Sequence, residues 1–130
     1  MLTSLTKSDW ILIAGGVLAV VCFLLFMSVA WSDELDISKT WCQSMNGEAE
    51  FRLYDNARVD CLLPQYAVEV EYTTKWYESI GQSLYYAMMT DRKPGILFIR
   101  KKGDSVHKAR IDRFMKVHKE FKVWWIDGGE

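Results

Sequence analysis

Asp60, Glu69 and Glu71 are the residues whose types and spacing invite chemistry. They flank Pro64-Gln65, a two-residue turn between stretches 58–62 and 67–72, and both stretches read as strands. With Pro64 and Gln65 as the loop, Leu63 faces Tyr66 and, counting outward, Asp60 faces Glu69. Opposed residues of antiparallel strands share a face, with Cβ atoms ~4.5–5.5 Å apart. Glu71, two residues on, joins them. Carboxylates held so close repel unless something compensates, and a hard divalent cation, Mg2+ or Mn2+, is the economical partner. The bland alternative is a half-exposed strand whose glutamates meet solvent. The other face of the hairpin carries Val59, Cys61, Val68 and Val70, an apolar set suited to a core.

Cations gather elsewhere. Residues 32–91 hold 4 Lys/Arg against 11 Asp/Glu, a net of −7, whereas 92–122 hold 11 against 3, a net of +8. Such asymmetry fits a carboxylate site beside a polyanion-binding face, or two halves that neutralise each other in solvent. Lys101, Lys102, Lys108, Arg110 and Arg113 are the candidate phosphate contacts. His107 and His118 read as surface residues of a basic helix.

The elements that must position these groups follow from periodicity. A short helix is expected over 33–46, with Ile37, Trp41 and Met45 on one face and Asn46-Gly47 as its stop. Strands follow at 50–53, 58–62 and 67–72, then a helix over 75–89 that Thr73-Thr74 can cap. On it Trp76, Ile80, Leu84 and Met88 form the expected core face, and Glu78, Gln82, Tyr85 and Tyr86 a polar-aromatic stripe. Pro94-Gly95 reads as its breaker, 96–99 as a buried strand, 106–120 as a basic amphipathic helix and 121–126 as a last strand. The tail from Gly128 is expected to be loose.

The chain resembles the restriction-endonuclease-like, or PD-(D/E)XK, nuclease superfamily. The resemblance rests on Arg58-Val59-Asp60, Ala67-Val68-Glu69-Val70-Glu71, Lys75-Trp76 and Gly81-Gln82-Ser83-Leu84-Tyr85-Tyr86, and covers about residues 41–99. It implies an α/β (α+β) fold with an αβββαβ core. It implies Asp60 and Glu69 as metal-binding acids, with the Val70 carbonyl a further ligand, and Glu50 as the acid that supports the metal. It also implies Gln82 and Tyr86 as the helix motif Gln-x-x-x-Tyr. Glu71 stands where the superfamily usually has lysine, and Lys75 lies one turn away. The chemistry implied is hydrolysis of DNA or RNA phosphodiesters, with Glu71 or Lys75 positioning water and Gln82 and Tyr86 at the catalytic site. The alternatives are a catalytically inactive nuclease-like binding module, and a disulfide-bonded ectodomain that contacts a protein partner.

Residues 11–30 carry no charge, and twenty apolar residues match a bilayer's ~30 Å core. Trp10 and Trp31 bracket the run. The expectation is a single-pass anchor over 1–31 and an α/β domain over 32–130. Lys7 and the α-amino group before the run, against Asp33, Glu34 and Asp36 after it, place the N-terminus in the cytoplasm. The domain is then outside a bacterial-type inner membrane. A cleaved signal peptide ending at Ser28-Val29-Ala30 is the competing reading. Cys22, inside the run, is expected to be a buried hydrophobe. Cys42 and Cys61 are an even pair that can form one disulfide in an oxidising compartment. Zinc ligation with His107 or His118 is the other reading, and no ligand spacing supports it.

Overall fold

The computed structural model describes residues 7–128, with backbone alone over 7–9 and 26–33. The chain divides into two compact units, Met1–Leu35 and Asp36–Glu130. One helix, α1 (Lys7–Ser44), runs through the boundary, so the expected helix over 33–46 is its last part and no separate element. It stops where Asn46 takes a left-handed φ of 55° and the Gly47 N–H bonds the Cys42 carbonyl at 2.9 Å.

The expected membrane anchor is overturned: among the described residues no helix is long and apolar enough to cross a membrane. The inner-membrane location and the inside-outside orientation rested on that anchor and are corrected with it. The side chains of Trp31, Ser28, Val29, Ala30, Lys7 and Asp9 lie outside what is described, as does the end of the tail. Cys22 is a free, exposed cysteine, not a buried hydrophobe.

In the second unit five strands make one mixed sheet in chain order: β1 (Glu48–Arg52), β2 (Arg58–Leu62), β3 (Tyr66–Tyr72), β4 (Lys93–Arg100) and β5 (Lys122–Asp127). The first three form an antiparallel meander, and β3, β4 and β5 run parallel. Parallel neighbours need helical crossovers. These are α2 (Trp76–Thr90), entered through a 3-10 turn at Thr73–Lys75, and α3 (Ser105–Val117). The expected αβββαβ core is present, extended by α3 and β5. Pro94 and Gly95 are not a break but residues of β4, and Gly95 permits a close approach: a Cβ there would lie 3.0 Å from the Trp124 ring and 3.1 Å from Val68.

Apolar side chains fill both faces. Val68, Val70, Leu97 and Ile99 join Cys42, Cys61 and Leu63 on one face, with Ile37 and Trp41 of α1 laid over them. Ile96 and Phe98 on the other face meet Trp76 of α2 and Ile111 of α3. Val59 does not share a face with Cys61 as its spacing predicted: it sits with Leu53, Leu62, Ala67 and Tyr86. The alternation is interrupted between them at Asp60. The disulfide Cys42–Cys61 is formed, with Cα atoms 5.5 Å apart, and fastens the end of α1 to β2.

The α2 core face is also rotated from expectation. Trp76 is buried and Ile80 partly so, but Leu84 and Met88 are 46% and 69% exposed. Ser79, Ser83, Tyr86 and Ala87 are buried in their stead. Small serines let the helix settle close to β4, where the Ser83 hydroxyl donates to the Gly95 carbonyl at 2.9 Å. Thr73 supplies no cap; its hydroxyl donates to Asp104 instead.

Candidate functional site

The hairpin has the register its loop length dictates. Leu63 N–H donates to the Tyr66 carbonyl at 2.9 Å, Leu62 pairs with Ala67 and Cys61 with Val68, one position short of Asp60 and Glu69, whose side chains hydrogen-bond each other. The ladder ends there. Asp60 turns its carboxylate toward β3, and its Oδ2 accepts the Val70 N–H at 2.8 Å in place of a backbone carbonyl. The same change of facing occurs on β1, where Ala49 joins the Cys61 cluster and Phe51 the Val59 cluster, with Glu50 between them at a left-handed φ of 55°.

Glu69 and Glu71 are 5% and 6% exposed. Both lie on the face that α2 and α3 cover, beside Ile96 and Phe98 in the β4 register. Burial raises the Asp60 carboxyl above its ordinary range, against the opposing pull of the Val70 N–H, the Arg58 charge and a hydrogen bond with Glu69. Burial likewise raises Glu71, against the Tyr72 N–H (2.8 Å to Oε1) and Lys75 (3.7 Å). Tyr86 is held neutral, first by burial and then by the charges of Glu69 and Asp60. The helix motif therefore divides: Tyr86 reaches the carboxyl group and Gln82 is exposed on α2.

Glu50 does not join. The register that pairs Ala49 with Cys61 and Phe51 with Val59 sets it across from Asp60. Its φ of 55° is left-handed, however, and its carboxylate is paired with Lys39 at 3.0 Å and Arg58 at 2.9 Å. Lys39 contributes most to holding that carboxyl below its ordinary range.

The expected metal centre is therefore corrected. Among the described residues no group of three or more His, Cys, Asp or Glu could hold a metal ion. Glu50 is held by its own cations, and one Asp60 oxygen is committed to the Val70 N–H. As arranged, Glu50, Asp60 and Glu69 do not form such a group.

The cations form a second feature. Arg100, Lys101, Lys102 and Lys108 line a cleft of about 520 Å³ with Gly103, Asp104, Ser105, Asp127 and Gly128. It lies at the carboxyl ends of parallel β4 and β5 and the start of α3, where open α/β sheets receive ligands. Asp104 shapes the wall, accepting the Lys101 N–H at 2.8 Å and the Thr73 hydroxyl. Burial alone would raise its carboxyl; these donors and the charges of His107 and Lys101 together hold it low. Arg100 is paired with Asp127 at 2.7 Å, and Lys101 lies 4.1 Å over the Tyr72 ring. Of the five cations chosen from sequence, Lys101, Lys102 and Lys108 line the cleft; Arg110 and Arg113 are exposed on α3 and do not. Sequence reasoning missed Arg100. Its place as the last residue of β4, just before Lys101-Lys102-Gly103, was the available signal. Comparison with protein-family models, curated proteins and solved structures found no match to the chain.

Proposed function

We propose that the 36–130 unit binds nucleic acid through its cationic cleft, on a nuclease-like scaffold whose carboxyl centre is closed. The observation that carries this reading is the convergence of Arg100, Lys101, Lys102 and Lys108 on one concavity at the sheet's carboxyl edge. Lysines there neutralise phosphates and release counterions, which requires no ordered metal. The carboxyl centre supports the same reading from the other side. Glu69 and Glu71 are buried, burial raises the carboxyls of Asp60 and Glu71, and Asp60 and Glu71 accept the Val70 and Tyr72 N–H groups.

Hydrolysis is the second reading, favoured by the hydrogen bond between Asp60 and Glu69 with the Glu71–Lys75 pair close by in the chain. One experiment separates the two. The full chain is titrated with a labelled duplex and a labelled single strand at several salt concentrations, with Mg2+, Mn2+ or EDTA. Retention with a log–log salt slope of about −2 to −3, as expected for three phosphate contacts, and with strands intact, supports binding without cleavage. Replacing Lys102 or Lys108 by Ala lowers that slope by about 1. Cation-dependent cleavage that disappears in Asp60→Ala and Glu69→Ala overturns the closed centre in favour of hydrolysis. No retention at low salt overturns both readings.

A further inference from the structure

Resting on the nucleic-acid reading, we infer that the cleft includes a subsite for a phosphate monoester, taking the phosphorylated end of a strand in preference to its internal diesters. Three features lead there. The first is charge. Four lining cations stand against Asp104 and Asp127, a net of +2. A monoester carries about −1.5 to −2 at pH 7, and an internal diester carries −1. The match is with the dianion.

The second is shape. A cleft of about 520 Å³ is the size of a small-ligand site. Its floor is closed by the Gly128 N–H bonded to the Arg100 carbonyl at 2.9 Å. Gly103, at φ 93°, puts backbone without a side chain on the wall, with nothing within 4 Å of where a Cβ would be. A phosphate can therefore approach main chain there.

The third is what lies beyond. A strand passing through would need cations continuing in line. At about 100° per residue, Arg110 and Arg113 lie about 200° and 140° around α3 from Lys108, so the helix turns its next cations away. Asp127, strongly exposed, stands at the rim. Lys108 is shared with Asp112 at 2.6 Å, an exposed pair of the kind worth little in water, which a dianion displaces.

The test compares internally labelled single strands of one sequence bearing a 5′-phosphate, a 3′-phosphate or hydroxyls at both ends, each bound to the full chain at pH 7.5. One phosphorylated end is expected to bind about tenfold more tightly than the unphosphorylated strand. The preference fades as pH falls through about 6, where a monoester takes up its second proton. Lys102→Ala and Lys108→Ala, at solvated positions that leave the fold intact, remove the preference. Equal affinity for all three strands overturns the terminal subsite while the nucleic-acid reading stands. Binding of none overturns that reading as well. A preference that survives both lysine variants overturns the cleft as its location. A nucleoside monophosphate that competes as well as the phosphorylated strand keeps the monoester site and overturns the strand as its source.

Discussion

Asp60 faces a choice that an ordinary strand residue does not. Its backbone belongs to β2, yet its carboxylate takes over one rung of the β2–β3 ladder by accepting the Val70 N–H. The acid is thereby tied to its neighbour strand in a buried place, and burial favours its protonated form, as it does for Glu71. Both carboxyls hold their protons more tightly in the folded chain than in the unfolded one. Their contribution to stability is thus fully present below the ordinary values of 3.8 and 4.5, and is lost as pH rises through the raised folded values. From pH 5 to pH 8, above the ordinary range of the Glu50 and Asp104 carboxyls that are held low, urea midpoints are expected to fall with rising pH. Asp60→Asn keeps an acceptor for Val70 and never ionises, so its profile is flatter; an equally steep profile in the variant rules Asp60 out as a source of the slope. The closeness of Asp60 and Glu69 was legible in the sequence because a two-residue loop fixes the hairpin register by counting. The in-plane turn of the carboxylate was not, because it trades one hydrogen bond for another and leaves no periodic trace.

At the scale of elements, the meander and both crossovers were readable from alternation and from apolar runs. What periodicity misread was how closely α2 approaches the sheet. Counting apolar residues at i+4 put Leu84 and Met88 inward, whereas the helix turns Ser79 and Ser83 to β4 and leaves those two in solvent. Glycines mark the other close approaches. Asn46 supplies the left-handed residue that ends α1, so Gly47 is present for room: a Cβ there would come within 2.7 Å of the Cys61 sulfur and 2.8 Å of the Cys42 sulfur. Gly95→Ala would press on Trp124 and Val68 and should cost about 1–3 kcal/mol, the usual range for an overfilled core. Thermal melts of that variant at neutral pH check the figure. An unchanged melting temperature would mean that the Trp124 ring shifts freely.

For the domain as a whole, the disulfide is the covalent tie between α1 and the sheet, spanning 19 positions in the chain. Closing a loop of that length stabilises by about 3 kcal/mol in the chain-entropy account. Cys42→Ser with Cys61→Ser should lower stability by roughly that amount and loosen the Ile37 and Trp41 contacts. Comparing urea midpoints of the double variant with those of the oxidised protein measures it. Even pairing of two cysteines made this bridge readable from sequence. The absence of a three-acid metal group was not readable, since the left-handed turn at Glu50 and its pairing with Lys39 and Arg58 arise only once α1 and β2 meet β1.

The five-stranded order leaves β5 with β4 on one side and no strand on the other. That flank presents unmatched main-chain groups along a segment containing two tryptophans, Val123 and Ile126, a composition prone to recruiting a further strand. Lys122 and Asp127 stand at its two ends, both exposed, and the Lys122 ammonium lies 5.7 Å from the Trp124 ring. Charges so positioned oppose edge-to-edge stacking of identical molecules, so the ends of this short strand guard the protein against fibre-like assembly.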